Sequence, residues 1–322
     1  MKRVLVVGGS GFIGTRLVDR LLELGHDPLI FDKAPSAAHP SRVVRGDVRD
    51  AAALRAALDG HDCVVALAAE HRDDVRPRSL YREVNVGGAV NLVQAAAHAR
   101  VRRIVFTSSV AVYGLDQPLA DEAAPLRPAN EYGRSKQLAE RVHEDWADAA
   151  ADRSLLILRP VVVFGEGNRG NVHTLAEQLR RRRFAMVGAG RNHKSIAYVG
   201  NLVEFIARHL DGAPGRVVLN YADPPDFRSG ELVARLCVLL GRPPPRLRLP
   251  YPLALAAGHA CDALAALLRR PLPVSAARVR RFCARTQVSI AALEATGFER
   301  PYSLDDGLAR MVEAMRRDAA QR

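Results

Sequence analysis

An α/β chain built on a doubly wound parallel sheet, with a smaller mixed α/β lobe at its C-terminal side, is what this 322-residue sequence predicts. Three observations carry that expectation. Short β-branched runs alternate with helical patterns through the first half, a glycine cluster directly follows the first run, and from about Val161 the alternation loosens into arginine- and proline-rich sequence. Alternation of this kind implies βαβ units, because parallel neighbours need a crossover long enough to hold a helix. The boundary is placed at residue 165. Residues 166–322 then form mainly a ligand-side lobe, some segments of which return to the first domain.

The elements follow in order. "RVLVVG" is the first strand, and Ile13, Leu17, Val18, Leu21 and Leu22 recur at helical spacing after it. "DPLIFD" ends a second strand at Asp32, and "GDVRD" places Asp47 at the end of a third. "DCVVALAA" is apolar or small from Val64 on and reads as a buried strand ending at Ala69; the chain then turns charged with Glu70, His71, Arg72, Asp73 and Asp74. "RRIVFTSS" runs to Ser108 and Ser109, and "SLLILRP" to Pro160. Such lengths suit strands and are too short for helices.

Composition narrows the class. A charged content of 25% with 48% hydrophobic residues belongs to an ordinary globular protein. The four cysteines, Cys63, Cys237, Cys261 and Cys283, form no CxxC pair, so neither a disulfide framework nor a metal site is expected, and a reducing cytosol is. The apolar stretch of "MKRVLVVGG" is short and leads into glycines, unlike a signal peptide or a membrane span, so a cytoplasmic location is expected. A net charge of +12 leaves nucleic acid, anionic lipid, a phosphorylated substrate or simple replacement of lysine by arginine as readings. Aromatic content of only 5%, without a stacking motif, argues against nucleic acid.

Immediately after the first strand, "GGSGFIG" sets Gly8, Gly11 and Gly14 at GxxGxxG spacing and opens a helix. Glycines there permit a tight turn and let backbone N–H groups and the helix N-terminus approach a pyrophosphate, the arrangement of a Rossmann-type dinucleotide site. Asp32, eighteen residues after Gly14, is placed to bond ribose hydroxyls and to repel a 2′-phosphate, which favours NAD over NADP. Asp47 is a candidate adenine contact; the other reading of the segment is a helix cap by Asp47 or Asp50.

The chemical residues come next. "EYGRSK" sets Tyr132 and Lys136 four apart, on one face of a helix, downstream of Ser108 and Ser109. An ammonium near a phenol is expected to lower its pKa from ~10 and make Tyr132 a general base, while a serine hydroxyl holds the substrate alcohol.

With "GGSGFIG", "NVGGAVNLVQAA", "TSSVAVYG", "YGRSK", "LRPVVVFGEGN" and "SLDDGL" in view, the chain resembles the extended short-chain dehydrogenase/reductases, in particular the nucleotide-sugar epimerases and dehydratases, from Met1 to about Arg310. The resemblance implies Ser109 as the catalytic serine with Ser108 as its alternative, Tyr132 as the base, Lys136 on the nicotinamide ribose, and Asn85 as a structural asparagine beside the site. It also implies that Phe12, Ile13, Val48, Ala68 and Pro160 line the NAD together with Tyr132 and Lys136. Dehydratases of the family carry an Asp-Glu pair after the catalytic serine or threonine. Here Val110 and Ala111 stand there, and neither can transfer a proton, which points to reversible oxidation at one carbon, as in a 4-epimerase.

In the second lobe the resemblance implies substrate contacts from Asn171, which opens a helix, and from Lys194, which stands where relatives carry a diphosphate-binding arginine. Arg278 is a further candidate. Gly200 departs from the aspartate of "YVDN" in many relatives, so the local hydrogen bond of that aspartate is not expected. "AAEHRDDVRPRSLY", "GNRGNVHTL", "MVGAGRNHKSIAYVGNLVEFI", "LPYPL" and "RFCARTQ" resemble more narrowly the bacterial enzymes that epimerise N-acetylglucosamine to N-acetylgalactosamine on undecaprenyl diphosphate, in O-antigen and related surface glycan (lipopolysaccharide) synthesis. Two other enzymatic readings stay open, a UDP-hexose or UDP-N-acetylhexosamine 4-epimerase and an NAD-dependent 3β-hydroxysteroid-type dehydrogenase; a catalytically silent NAD-sensing or RNA-binding protein is a third alternative. The resemblance implies as partners a lipid-linked or nucleotide-linked sugar and a second copy of the chain in a homodimer.

Residues 241–285 hold nine arginines and one acid, Asp262. Within them a helix after Pro252 would gather Leu253, Ala257, Ala260, Leu264, Leu267 and Leu268 on one arc, with His259, Asp262, Arg269 and Arg270 opposite. Two readings stay open: an arc facing the core, or one resting on an anionic membrane, which would make the protein peripheral to the inner face of the cytoplasmic membrane. The charged run after Ala69 has a topological address. Ligands of a parallel sheet bind outside the carboxyl ends of its strands, so Glu70, His71 and Arg72 are expected at the site, and alanine at His71 or Arg72 is expected to harm turnover more than stability.

Overall fold

The computed structural model describes residues 1–72, 75–115, 117, 119–268, 270 and 275–320; Asp73 and Asp74 of the charged run lie outside them. Seven parallel strands form the central sheet: β1 (Arg3–Val7), β2 (Asp27–Asp32), β3 (Val43–Arg45), β4 (Cys63–Ala66), β5 (Arg103–Thr107), β6 (Ser154–Pro160) and, from the second half of the chain, β10 (Gly215–Tyr221). Their order is β10-β6-β5-β4-β1-β2-β3, and every pairing is parallel. The fold is therefore the doubly wound, Rossmann-type α/β sheet that the alternating runs predict.

Strand period explains the layers. Val4 and Val6 enter one core with Leu17, Val18 and Leu21 of α1 (Phe12–Glu23), while Leu5 and Val7 enter the other with Leu54 and Leu58 of α2 (Ala51–Leu58). The second core is covered further by α3 (Gly88–His98), which continues a π-helical turn at Tyr81–Gly87, and by α4 (Glu131–Asp148). A sheet buried on both faces needs apolar residues at every position, and β4 is fully buried along its length.

The strand expected to reach Ala69 stops at Ala66. Leu67 and Ala68 both donate to the Val7 carbonyl, at 2.8 and 3.0 Å, so two residues share one acceptor and the ladder ends in a bulge. β5 likewise ends at Thr107, although Ser108 still donates to the Leu158 carbonyl at 2.7 Å.

The second lobe is smaller. A three-stranded sheet, β11-β9-β7, contains β7 (Val162–Phe164), β9 (His193–Tyr198) and β11 (Asp223–Arg228), with β7 parallel and β11 antiparallel to β9. A short parallel pair joins β8 (Met186–Val187) to β12 (Arg248–Leu249). Helices α5 (Asn171–Arg180), α7 (Ser229–Leu240), α8 (Tyr251–Leu268), α9 (Ala276–Cys283) and α11 (Leu304–Ala320) surround them, while α6 (Val199–Arg208) packs back on α1 and α10 (Ala291–Glu294) on β10. Among the described residues no helix is long and apolar enough to cross a membrane.

Gly200 has a packing reason. A side chain there would begin 2.5 Å from the Tyr198 ring, and the bonding in this corner falls to Asn201, which donates to Asp223 at 3.0 Å and to the Tyr302 carbonyl at 2.9 Å.

Candidate active site

The order of the central strands reverses between β1 and β4, and loops that leave neighbouring strands in opposite directions open a crevice at that point. The glycine turn after β1 forms one wall of it and the segment after β4 the other. Gly8 has φ +86°, and a Cβ on it would lie 2.6 Å from the Ala68 backbone nitrogen. At Gly14 a Cβ would meet the Gly9 Cα at 2.5 Å, so α1 could not start so close to the turn. Gly11, the N-cap of α1, offers no side-chain acceptor, and the first turn contains no acid. Its N–H groups are thus left to an external anion, which fits a dinucleotide pyrophosphate.

Asp32 closes the end of β2 with its carboxylate fixed, accepting from Ser10 N at 3.0 Å and from Ala34 N at 2.9 Å. A fixed carboxylate here suits ribose hydroxyls. Asp32→Ser is expected to weaken NAD binding about tenfold and to narrow the preference against NADP, as read by isothermal titration with each dinucleotide. Asp47 is engaged elsewhere. It forms a two-point pair with Arg49, Nη2 to Oδ2 at 2.8 Å and Nε to Oδ1 at 3.1 Å, and the guanidinium holds its carboxyl below the usual range. Capping of α2 falls to Asp50, which accepts from Ala52 N and Ala53 N at 3.0 Å. Val48 packs against Gly88, Ala68 beside Gly8, and buried Pro160 pairs with Tyr221 at the end of β6; Phe12 and Ile13 open α1.

Across the crevice, Asn130 caps α4 by accepting from Gly133 N at 2.8 Å, which starts the helix one residue before Tyr132. Tyr132 and Lys136 therefore share a face. Ser109 lies just past β5, accepts from Ala111 N at 3.2 Å, and hydrogen-bonds the Tyr132 side chain. The structure thus joins Ser109 to the phenol, whereas Ser108 is buried with its hydroxyl unpartnered among the described residues.

The electrostatics differ from the sequence expectation. Burial raises the Tyr132 phenol above its ordinary value, opposed by the Ser109 hydrogen bond. Lys136 is itself fully buried, with its ammonium over the Phe106 ring at 4.5 Å, and desolvation pulls it down to about 7 against the opposing field of Glu140. Desolvation thus leaves Lys136 charged for only part of the time near neutrality, while its charged form acts on its neighbours through a low-dielectric interior.

Two hydrogen-bonded chains hold this arrangement. Asn85 grips the backbone of Glu70 from both sides, accepting from its N–H at 2.8 Å and donating to its carbonyl at 2.9 Å. The same amide donates to Ser135 Oγ at 2.8 Å, and Ser135 donates to the Tyr132 carbonyl at 2.8 Å. The Glu70 carboxylate pairs with Lys33 at 2.8 Å, and the Arg72 carbonyl accepts from the Tyr81 hydroxyl. His71 and Arg72 stay exposed at the rim. Beneath Lys136, Glu140 receives Arg159 through two bonds of 2.9 and 2.7 Å, and Arg159 donates to the Tyr113 hydroxyl at 2.8 Å, which donates to Asn220 at 2.7 Å. Sequence reasoning missed Glu140 and Arg159; an acid one turn beyond Lys136 on the buried face was the available signal.

The structure therefore brings Ser109 to Tyr132, sets Lys136 one turn further along α4, and links the Tyr132 backbone through Ser135 and Asn85 to Glu70. Asn171, Lys194 and Arg278 remain on second-lobe elements. Asn171 is the exposed first residue of α5, and Arg278 is exposed on α9. Lys194 donates to the carbonyls of Arg281 at 2.8 Å and Ala284 at 2.6 Å, capping the end of α9.

The sequence profile described as the NAD dependent epimerase/dehydratase family matches residues 4–220. Among curated proteins, the chain is 47% identical over 312 residues to N-acetyl-alpha-D-glucosaminyl-diphospho-ditrans,octacis-undecaprenol 4-epimerase of Escherichia coli O157:H7, covering 96% of this chain and 94% of that one. It is 37% identical over 275 residues to a 3 beta-hydroxysteroid dehydrogenase/Delta 5-->4-isomerase of Mycobacterium tuberculosis (strain ATCC 25618 / H37Rv), covering 78% of this chain and 72% of that one. Of solved structures, MoeE5 in complex with UDP-glucose and NAD superposes with a TM-score of 0.78 at 26% identity, covering 98% of this chain and 99% of that one.

Proposed function

The chain belongs to the NAD dependent epimerase/dehydratase family, and from that premise we propose that it is an NAD-dependent 4-epimerase that interconverts N-acetylglucosamine and N-acetylgalactosamine carried on undecaprenyl diphosphate. The observation that carries the reading is the extent of the likeness to the undecaprenol-linked epimerase, 47% identity over 312 residues and so across both lobes; the placing of Ser109 beside the Tyr132 phenol supports it.

Tyr132, as the phenolate, takes the proton of the sugar 4-hydroxyl, and the Ser109 hydroxyl holds the same oxygen. Bound NAD supplies the hydride chemistry, accepting from C4 of the sugar and returning to it. Lys136 contributes positive charge beside the phenol. Val110 and Ala111 form the turn after Ser109 and carry no group able to eliminate water, so oxidation at C4 is followed by reduction and not by dehydration. A 4-keto sugar must rotate without leaving, which requires the chain to hold a remote group such as the diphosphate; Asn171, Lys194, Arg278 and the rim residues His71 and Arg72 are the candidates.

Under this reading residues 1–165 hold NAD and the reacting carbon, with residues 166–322 contributing mainly to the carrier side. The enzyme would be cytoplasmic, peripheral on the inner face of the cytoplasmic membrane, and a homodimer. The test is a parallel incubation with NAD and either N-acetylglucosaminyl-diphospho-undecaprenol or UDP-N-acetylglucosamine. Conversion of the lipid-linked sugar is expected, with no net NADH; conversion of the UDP sugar alone would overturn the carrier assignment, and stoichiometric NADH would mark a dehydrogenase.

A further inference from the structure

Of the two directions left open for the apolar arc of α8, the structure shows the outward one. Leu253, Ala257, Ala260, Leu264, Leu267 and Leu268 share one arc, and all are exposed: 59% at Leu253, 46% at Leu264, 80% at Leu267 and 53% at Leu268. What the helix buries is a stripe of small residues beside that arc. Ala254 and Gly258 are buried, and a Cβ on Gly258 would lie 2.8 Å from the Ala276 backbone, so α8 lies directly on the start of α9. Close approach through small residues leaves the leucines pointing outwards. Leu247, 60% exposed, and Tyr251 extend the same apolar patch past the start of the helix.

The sequence that carries this patch is strongly basic. Residues 241–285 carry nine arginines and a single acid. That acid, Asp262, accepts from Ala276 N at 3.1 Å and so is spent on the N-terminus of α9. Arg242, Arg246, Arg248, Arg270, Arg278 and Arg280 are exposed. An exposed apolar arc on a helix that cannot span a bilayer, flanked by cations, has the chemistry of a surface that lies in the headgroup region of an anionic membrane.

We propose that the α8–α9 hairpin docks the enzyme on an anionic phospholipid bilayer, with the leucine arc of α8 entering the headgroup boundary and the surrounding arginines meeting lipid phosphates. The hairpin is also joined to the second lobe's interior: Lys194 and Asn192 both donate to carbonyls at the end of α9, Asn192 to Phe282 at 2.8 Å. Docking would thus fix the strand that carries a candidate diphosphate-binding residue relative to the lipid surface. This last point rests on the lipid-linked substrate reading; the docking surface itself does not.

The test uses the full chain and vesicles of phosphatidylglycerol or of phosphatidylcholine alone, with binding read by co-sedimentation and carried out at low and high salt. The wild type is expected to bind the anionic vesicles at least about tenfold more tightly, with the advantage shrinking as salt rises. Leu264→Glu/Leu267→Glu, at exposed positions, is expected to lose about tenfold or more of that binding while retaining its melting temperature and its turnover of detergent-solubilised substrate. Equal binding of both vesicles, or binding unchanged in the double variant, would overturn the proposal. So would a patch that instead joins two copies, seen as dissociation of the double variant in sedimentation velocity without any vesicle binding by the wild type. Vesicle binding with turnover of the UDP sugar alone would leave the docking surface standing and remove the lipid-linked substrate; turnover of the lipid-linked sugar without vesicle binding would do the reverse.

Discussion

Tyr132→Phe is expected to lower kcat for epimerisation by about a thousandfold, within the range that a positioned general base contributes, with KM nearly unchanged. The ring is retained and the side chain is only part-buried, so the fold should survive, and an unshifted melting temperature would separate lost chemistry from lost structure. The pH profile gives a second readout. Burial raises the phenol, so the ionised base is scarce near neutrality and kcat/KM should climb with pH; that limb should vanish in the variant. A Tyr132→Phe protein with full activity would remove Tyr132 from the mechanism whichever sugar is the substrate.

Glu140→Leu is expected to destabilise the protein by about 3–5 kcal/mol, the usual cost of leaving a buried charge without its partner. Both members of the pair are withdrawn from water, with side chains 5% exposed at Arg159 and 2% at Glu140, and Arg159 would keep its charge among Tyr113 and the Glu122 carbonyl. Chemical denaturation reads the loss. Activity should move as well. Glu140 is the group whose field opposes the desolvation of Lys136, so without it the lysine falls further below about 7 and is neutral over more of the working range. Glu140→Gln keeps hydrogen-bonding capacity towards Arg159 without the charge; an activity profile like that of the wild type in this variant would show that Glu140 acts through packing alone.

How far the sequence could be read depended on whether local pattern or distant packing decided each feature. The strands of the central sheet from β1 to β6 were legible because sheets covered on both faces leave uninterrupted β-branched runs, and the spacing of Tyr132 and Lys136 was legible because an i, i+4 pair needs only a helix. β10 was missed. Its seven residues, "GRVVLNY", stand beyond the region of regular alternation, with the first half exposed, and only the sheet edge offered by β6 makes them a strand. The arc of α8 was identified but not its direction, since periodicity marks which residues are apolar and not which neighbour comes close enough to cover them. Ala254 and Gly258 decided that. Glu140 and Arg159 sit nineteen residues apart on different elements, and no spacing rule connects them. Lys194 was singled out because relatives carry a diphosphate-binding arginine there; that its ammonium also donates to carbonyls at the end of α9 depends on a segment about ninety residues away, which no local pattern announces.

The position of β10 also bears on how the protein can be divided. The sheet is completed by a strand that arrives only after β7, α5, β8, β9 and α6 have been traversed, and Asn220 on it donates to the carbonyls of Ala120 and Ser289, both at 3.0 Å. A fragment ending at residue 165 would expose β6 as an edge with unpaired backbone groups, a template for aggregation, and would leave Tyr113 without its amide partner. The first 165 residues are therefore not an excisable module. Shuffling carrier specificity by exchanging lobes between relatives would have to take β10 with the first half, or accept a seam running through the middle of its sheet.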